Sequence, residues 1–136
     1  MDLSKNSSRD QILKYIKNFS IGFLRDFSNK SWAHPYIDDA AKLAAKENSY
    51  AFLCDFSDKT WAQPYIDDAA KIAAKENSFY FLYFNSDKTW AHPYLNEAAR
   101  EVAKRYPEFF LEKYADRFPH HINFALFALG DKNGSV

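Results

Sequence analysis

The sequence predicts an all-α fold: a short right-handed α-solenoid of stacked helical hairpins, with about eight or nine helices. Two observations favour it. One phrase recurs at a fixed spacing, and each copy is rich in strong helix formers. The chain also has three glycines and five prolines, too few for an all-β fold with many tight turns.

The phrase occurs three times, and its tryptophans, Trp32, Trp61 and Trp90, are 29 residues apart. The copies read SWAHPYIDDAAKL from residue 31, TWAQPYIDDAAKI from residue 60 and TWAHPYLNEAARE from residue 89. Fixed periods of about 20–50 residues are typical of stacked supersecondary units. We therefore divide a single domain, 1–136, into a degenerate N-terminal unit (8–30), three repeats (31–59, 60–88 and 89–118), a C-terminal cap helix (119–130) and a polar tail (131–136) that stops this helix.

The first helix of each repeat follows the tryptophan. In the middle copy it is predicted to run from about Thr60 to Glu76, where alanines and a stripe of apolar residues recur at helical spacing. We expect the tryptophans and the following tyrosines to pack between hairpins. Two starts remain open: Thr60 as the N-cap, with Gln63 completing a capping box, or Pro64 as the first helical residue.

The second helix is shorter. Asn77 is predicted to close the first helix in a left-handed conformation, and Ser78 to cap the second. The run FYFLYF at 79–84 consists of β-forming residues, so a strand is the alternative. Pro107 begins the corresponding run of the last copy, which favours the helix.

The pattern resembles the helical-hairpin solenoid class that includes tetratricopeptide and HEAT-type repeats. The resemblance is architectural and covers roughly residues 8–129. The period is shorter than the ~34 residues of a tetratricopeptide repeat. The class implies a binding or scaffolding surface rather than catalysis.

Composition limits the possible partners. Eighteen Lys and Arg balance eighteen Asp and Glu, so no overall field attracts nucleic acid or an anionic membrane. The one cysteine, Cys54, excludes an internal disulfide framework.

The sequence shows no signal-peptide pattern and no run approaching the ~18 apolar residues of a membrane span, so a cytoplasmic protein is the default expectation.

Polar residues of the repeats do not form a catalytic or metal-binding pattern. Neighbouring helix residues such as Asp38 and Asp39 point about 100° apart, so they do not make a carboxylate dyad. His34 and His92 are two units apart, and His120 and His121 lack a clear third ligand. We expect no enzyme activity, no metal and no cofactor.

Positions that differ between copies are the candidate binding residues, because constant positions are explained by packing. On the second helices these are Ala51, Cys54, Asp55, Tyr80, Tyr83, Phe84, Phe109 and Lys113. They predict an aromatic groove with polar edges that binds a protein or peptide. The alternative is a structural, self-associating protein that contacts another copy through the apolar C-terminal helix, at Phe124, Leu126, Phe127 and Leu129. An enzyme or ligand carrier would need a pocket of converging polar groups that the sequence does not show.

Overall fold

The computed structural model describes residues 3–132, with side chains described for residues 3–130, and this part of the chain contains helices and no strand. The predicted all-α class is therefore confirmed, and the strand alternative for 79–84 is wrong. None of the described helices is long and apolar enough to cross a bilayer. The α-helices of this part are α1 (Arg9–Phe27), α2 (His34–Glu47), α3 (Ser49–Phe56), α4 (Gln63–Glu76), α5 (Ser78–Asn85), α6 (Leu95–Arg105), α7 (Pro107–Lys113) and α8 (Ile122–Lys132).

Each phrase begins with a 3-10 turn before its α-helix. In the first two copies the turns are Ser31–Ala33 and Thr60–Ala62, and the proline is the second residue of α2 and α4. Proline is tolerated there because the first N–H groups of a helix have no intrahelical acceptor. The middle helix thus begins at Gln63, between the two predicted starts. In the third copy the 3-10 turn continues over Thr89–Tyr94.

The predicted capping box between Thr60 and Gln63 is wrong. The side-chain Nε2 of Gln63 instead donates to the carbonyl oxygens of Ser57 and Lys59, at 2.9 Å each. These carbonyls follow the end of α3, where backbone acceptors lack helical partners. Gln63 therefore ties the start of one repeat to the end of the preceding helix.

One residue separates the first helix of each hairpin from the second. At Asn77 this residue has φ −123° and ψ 41°, so the predicted left-handed conformation is wrong. Ser78 is the first residue of α5 rather than its cap. The equivalent residue Asn48 donates its N–H to Ala44 O at 2.7 Å and accepts from Phe52 N at 2.8 Å, so the chain bends with its hydrogen bonds kept. The same backbone break occurs at Phe19, Asn48, Asn77 and Tyr106.

The chain forms two compact units, Met1–Ala70 and Lys71–Val136. In the first unit α2 packs against α1 and α3, and Phe23 and Phe52 are fully buried. In the second unit α6 packs against α5, α7 and α8, and Phe81 and Phe110 are fully buried. The same spacing of 29 thus separates the largest core side chains within each unit.

The tryptophans are half-buried, and each packs against phenylalanine on the helix that precedes it. The ring of Trp61 lies 5.1 Å from that of Phe56, and Trp32 lies 5.3 Å from Phe27. Asn85 precedes the third tryptophan at the position that Phe27 and Phe56 occupy before the first two. Asn85 is buried, and its Nδ2 has no hydrogen-bond partner among the described residues.

The C-terminal helix departs from the 29-residue register. His121 N donates to Phe118 O at 3.1 Å, as Ala62 N does to Lys59 O, so one residue is inserted before Phe118. α8 continues through Gly130 to Lys132, so the prediction that a tail from 131 stops the helix is wrong. The rest of that predicted tail, 133–136, lies outside the described residues.

We predict that Asn85→Phe stabilises the protein. The substitution removes a buried unpaired amide and restores the ring that packs against the tryptophan in the other copies. We expect the free energy of unfolding in urea to rise by about 1 kcal/mol or more. Asn85→Ala, which removes the amide without supplying a ring, is the control. A Phe variant less stable than the Ala variant would mean that the site has no room for the ring.

Candidate functional site

The candidate site is a group of aromatic side chains on the second helices of the second unit. We call it the aromatic surface. It consists of Phe79, Tyr80, Tyr83 and Phe84 on α5, Tyr106 at the junction before α7, and Phe109 on α7. It contains four of the predicted site residues, Tyr80, Tyr83, Phe84 and Phe109.

Phe79 is the centre of the aromatic surface. Its ring lies 4.8 Å from that of Phe109 and 5.2 Å from that of Tyr106, so it joins α5 to the α7 side. It is also parallel to the ring of Tyr83, at 6.0 Å and 3°. Tilted and edge-to-face pairs at these separations are favourable beyond the area they bury. These contacts hold the neighbouring rings in defined positions.

The outer rings of the surface are open to solvent. The exposed fractions are 53% for Tyr80, 54% for Tyr83, 57% for Phe84 and 48% for Tyr106. Tyr80 and Phe84 lie one helical turn apart with nearly parallel rings, 6.2 Å between centroids. Large apolar side chains exposed side by side are typical of contact surfaces, whereas scattered single ones need no explanation.

Three predicted site residues, Ala51, Cys54 and Asp55, lie on α3 in the first unit. Cys54 is exposed and free. Asp55 accepts from Arg25 of α1 at 2.6 Å, in an ion pair of two largely exposed groups. The described geometry therefore gives Asp55 a partner within its own unit.

Lys113, the last predicted member, is exposed at the end of α7.

The sequence pattern did not predict Phe79 and Tyr106 as site residues. Phe79 begins the run FYFLYF, which is apolar on every side of the helix, so the pattern did not distinguish its exposed face from its buried face. The available signal for Tyr106 is that the equivalent positions of the first two repeats hold Asn48 and Asn77, so the junction does not require an aromatic residue.

Tyr114 continues the ring contacts beyond α7. Its ring lies 5.7 Å from that of Phe109. Burial raises the pKa of the Tyr114 phenol, the nearby Tyr83 raises it further, and the charge of Arg117 opposes the shift.

The residues predicted for self-association lie on α8. Phe127 is the most exposed of the large apolar side chains described, at 74%, and Leu126 and Phe124 are also exposed, whereas Leu129 is half-buried. The Nζ of Lys104 lies 5.2 Å from the Phe124 ring centroid. A surface cavity of about 600 Å³ lies beside these rings, lined by Lys104, Asn123, Phe124, Phe127 and Ala128. We call this region the C-terminal apolar surface.

Polar contacts join successive repeats within each unit. In the first unit the Tyr65 hydroxyl donates to Asp38 Oδ1 at 2.7 Å. This hydrogen bond, together with burial and the charges of Asp38 and Asp39, raises the pKa of Tyr65 to about 12. Tyr65 therefore has a polar role in addition to the packing predicted for it.

In the second unit the Nε2 atoms of His120 and His121 lie 2.8 and 2.7 Å from Asn96 Oδ1. Both imidazoles can donate to that oxygen when Nε2 carries the proton. Burial lowers the pKa of His121, and the charges of His120 and Arg100 lower it further, while the hydrogen bond to Asn96 opposes the shift. The lowered pKa favours the neutral form of this buried imidazole. Within the described residues no cluster of three or more His, Cys, Asp or Glu side chains could hold a metal ion.

Comparison with protein-family models, curated proteins and solved structures finds no match to this chain. The functional argument therefore depends on the geometry of the aromatic surface and on the internal comparison of the repeats. That comparison is informative for the second helices, because each of them follows the same backbone break and their side chains differ.

The Tyr65–Asp38 contact predicts a specific pH dependence of stability. The phenol ionises near pH 10 in the unfolded chain and near 12 in the folded protein, so the unfolded state binds fewer protons between these values. The contribution is complete below pH 10 and is lost as the pH rises through 12. We expect Tyr65→Phe to lower the unfolding free energy by about 1 kcal/mol at pH 8. This difference should shrink at pH 11.

Urea denaturation of both proteins at pH 8 and 11 tests this expectation. Tyr36→Phe is the matched control, because Tyr36 occupies the equivalent position in the first copy and its hydroxyl has no described partner. An equal loss of stability in both variants would show that the hydrogen bond to Asp38 contributes nothing specific.

Proposed function

We propose that this chain is a protein-interaction module that binds a protein or peptide on the aromatic surface. The observation that carries the proposal is the exposure of Tyr80, Tyr83, Phe84 and Tyr106, each about half open to solvent. Phe79 packs against three of these rings, and Phe84 packs against Tyr80 and Tyr83. Exposed rings held in place lose little conformational freedom when a partner covers them, so more of the contact energy is retained as affinity.

The chemistry of the surface favours an amphipathic partner segment. Tyrosine offers a broad apolar face and a hydroxyl that exchanges hydrogen bonds, which is why it is enriched at the centres of protein interfaces. Lys113 lies exposed at the end of α7, and Glu108 and Glu112 lie on the same helix. A partner with an apolar centre and mixed charges at its edges matches this arrangement. Binding rather than catalysis is favoured because the clustered groups are rings, not a nucleophile beside a base.

We also propose that the helical hairpins stack as a short right-handed α-solenoid. The support comes from repetition within each unit: the same backbone break, the same buried phenylalanine and the same packing of a first helix against its neighbouring second helices. Units that repeat in this way bury a continuous core when they stack, and binding faces of solenoids are built from their variable positions.

Self-association is the second candidate function, and the C-terminal apolar surface favours it. Phe127 and Leu126 expose most of their side chains on α8, beside a cavity of about 600 Å³. Exposed apolar helix faces of this kind are covered in oligomers, where they supply the hydrophobic centre of the interface.

Replacing Tyr80 and Tyr83 with alanine should remove binding and preserve the fold. Position 51 is already alanine and position 54 is cysteine in α3, so small residues are compatible with the repeat at these equivalent sites. We expect the double variant to lose less than about 1 kcal/mol of unfolding free energy, because both side chains are half exposed. The binding readout is capture from cell lysate on immobilised protein.

Phe19→Ala is the control for this experiment, since Phe19 is 58% exposed but lies in the first unit. We expect proteins captured by the original chain and by the Phe19 variant to be absent with the double variant. Equal capture by all three proteins would contradict the proposed binding surface, and a large loss of stability would show that the tyrosines belong to the core.

Phe127→Glu should abolish self-association if the C-terminal apolar surface mediates it. The charge would have to be buried without a partner at the centre of the contact, which is strongly unfavourable. Light scattering behind a sizing column, over a hundredfold range of concentration, measures the outcome. Phe19→Glu, at an exposed ring of the first unit, should leave the mass unchanged. A monomeric original chain, or an unchanged oligomer in the Phe127 variant, would reject this function.

A further inference from the structure

A second cavity, in the first unit, differs in chemistry from the aromatic surface. It has a volume of about 490 Å³, within the usual size range of small ligand sites. An indole, an imidazole and a carboxylate meet in it. Its lining residues are Ser28, His34, Pro35, Ile37, Asp38 and Trp61.

Two of these groups are held in place by the fold. Trp61 is half-buried, and its ring is packed 5.1 Å from Phe56 and 6.4 Å from Phe52, so its position is fixed by its contacts with α3. Asp38 Oδ1 accepts the hydrogen bond from Tyr65 at 2.7 Å, which orients the carboxylate. This is the one hydrogen bond that Asp38 receives from described residues, so Oδ2 is available to a ligand.

The electrostatic potential of the cavity favours a cation. Its wall contains the Asp38 carboxylate and no lysine or arginine. Asp39, the next residue of the same helix, lines a different cavity of the unit and is not part of this wall. Lys17, Lys42 and Lys46 line a different cavity of the same unit. His34 is the lining side chain that can become positively charged, and it is exposed.

We propose that this cavity binds an arginine side chain presented by a partner peptide, with the guanidinium paired to Asp38 and stacked on Trp61. A guanidinium is planar, so it can donate to a carboxylate in its plane and offer its face to an aromatic ring. The aliphatic stem of arginine suits the apolar wall at Pro35 and Ile37. The site lies in the first unit and the aromatic surface in the second, so the two proposals can fail independently.

Nuclear magnetic resonance of the tryptophan indole N–H groups tests this proposal. The chain has three tryptophans, and Trp61→Phe identifies the signal of Trp61. The probes are N-acetylarginine methylamide, which mimics a residue within a peptide, and its neutral isostere N-acetylcitrulline methylamide. We expect a saturable shift of the Trp61 signal with the arginine probe and about fivefold weaker binding of citrulline, which lacks the ion pair and the cation–π contact. Free arginine should bind more weakly than the blocked probe, because Asp38 repels its carboxylate.

The Asp38→Asn variant tests the role of the charge. Asparagine retains an oxygen that accepts from Tyr65, so unchanged signals of Trp32 and Trp90 should show that the fold is preserved. We expect arginine binding to weaken about threefold. Asp116→Asn, which removes one negative charge from an exposed position of the second unit, should leave the affinity unchanged. Equal binding of the arginine and citrulline probes would overturn the proposal, and this comparison does not depend on the Asp38 variant folding. An affinity for the arginine probe that Asp38→Asn leaves unchanged would also overturn it. Stronger binding of free arginine would exclude a peptide as the source.

Discussion

The constraint on which the structure depends is the close packing of large rings against helices made of small residues. Within each unit two phenylalanines spaced by 29 are fully buried, and the first helices present alanines that are also fully buried. Burying one such ring stabilises the fold by about 1.5–3 kcal/mol from its apolar area. A larger residue in the alanine stripe would separate the helices, so the phrase tolerates little change on that face.

The faces that do not carry this packing differ between the units. In the first unit Arg25 of α1 pairs with Asp55 of α3. The repeat-equivalent positions in the second unit are Tyr83 and Lys113, and there the second helices meet through the rings of Phe79, Tyr83 and Phe109. An exposed ion pair contributes little to stability and leaves a hydrated surface, whereas the rings leave apolar area uncovered. The same backbone therefore supports two surfaces of different binding chemistry.

Periodicity was enough to predict the helices and their buried faces, because burial of the repeated phenylalanines and alanines follows directly from spacing. It was not enough to predict the junctions. The junction residues adopt the same non-helical break although their side chains share no turn signal, so the conformation is imposed by the packing of the flanking helices; these residues are Phe19, Asn48, Asn77 and Tyr106. Likewise Gln63 has the spacing of a capping box, but its backbone N–H donates to the carbonyl oxygen of Thr60 and its Nε2 donates to carbonyl oxygens that follow α3. The contacts made by Phe79 and Tyr106 depend on that tertiary geometry, which local patterns do not contain.

The third copy shows that the charge at position 38 is not needed for packing. Asn96 occupies the position equivalent to Asp38, and its Oδ1 lies 2.8 and 2.7 Å from the Nε2 atoms of His120 and His121, which donate to it when Nε2 carries the proton. A neutral amide thus performs the structural role that Asp38 performs toward Tyr65. The negative charge of Asp38 raises the pKa of its own donor and is not required by the hydrogen bond. Packing does not require the charge of Asp38, and the indole of Trp61 lines the same cavity in a fixed position. The charge is therefore available to select a cationic ligand.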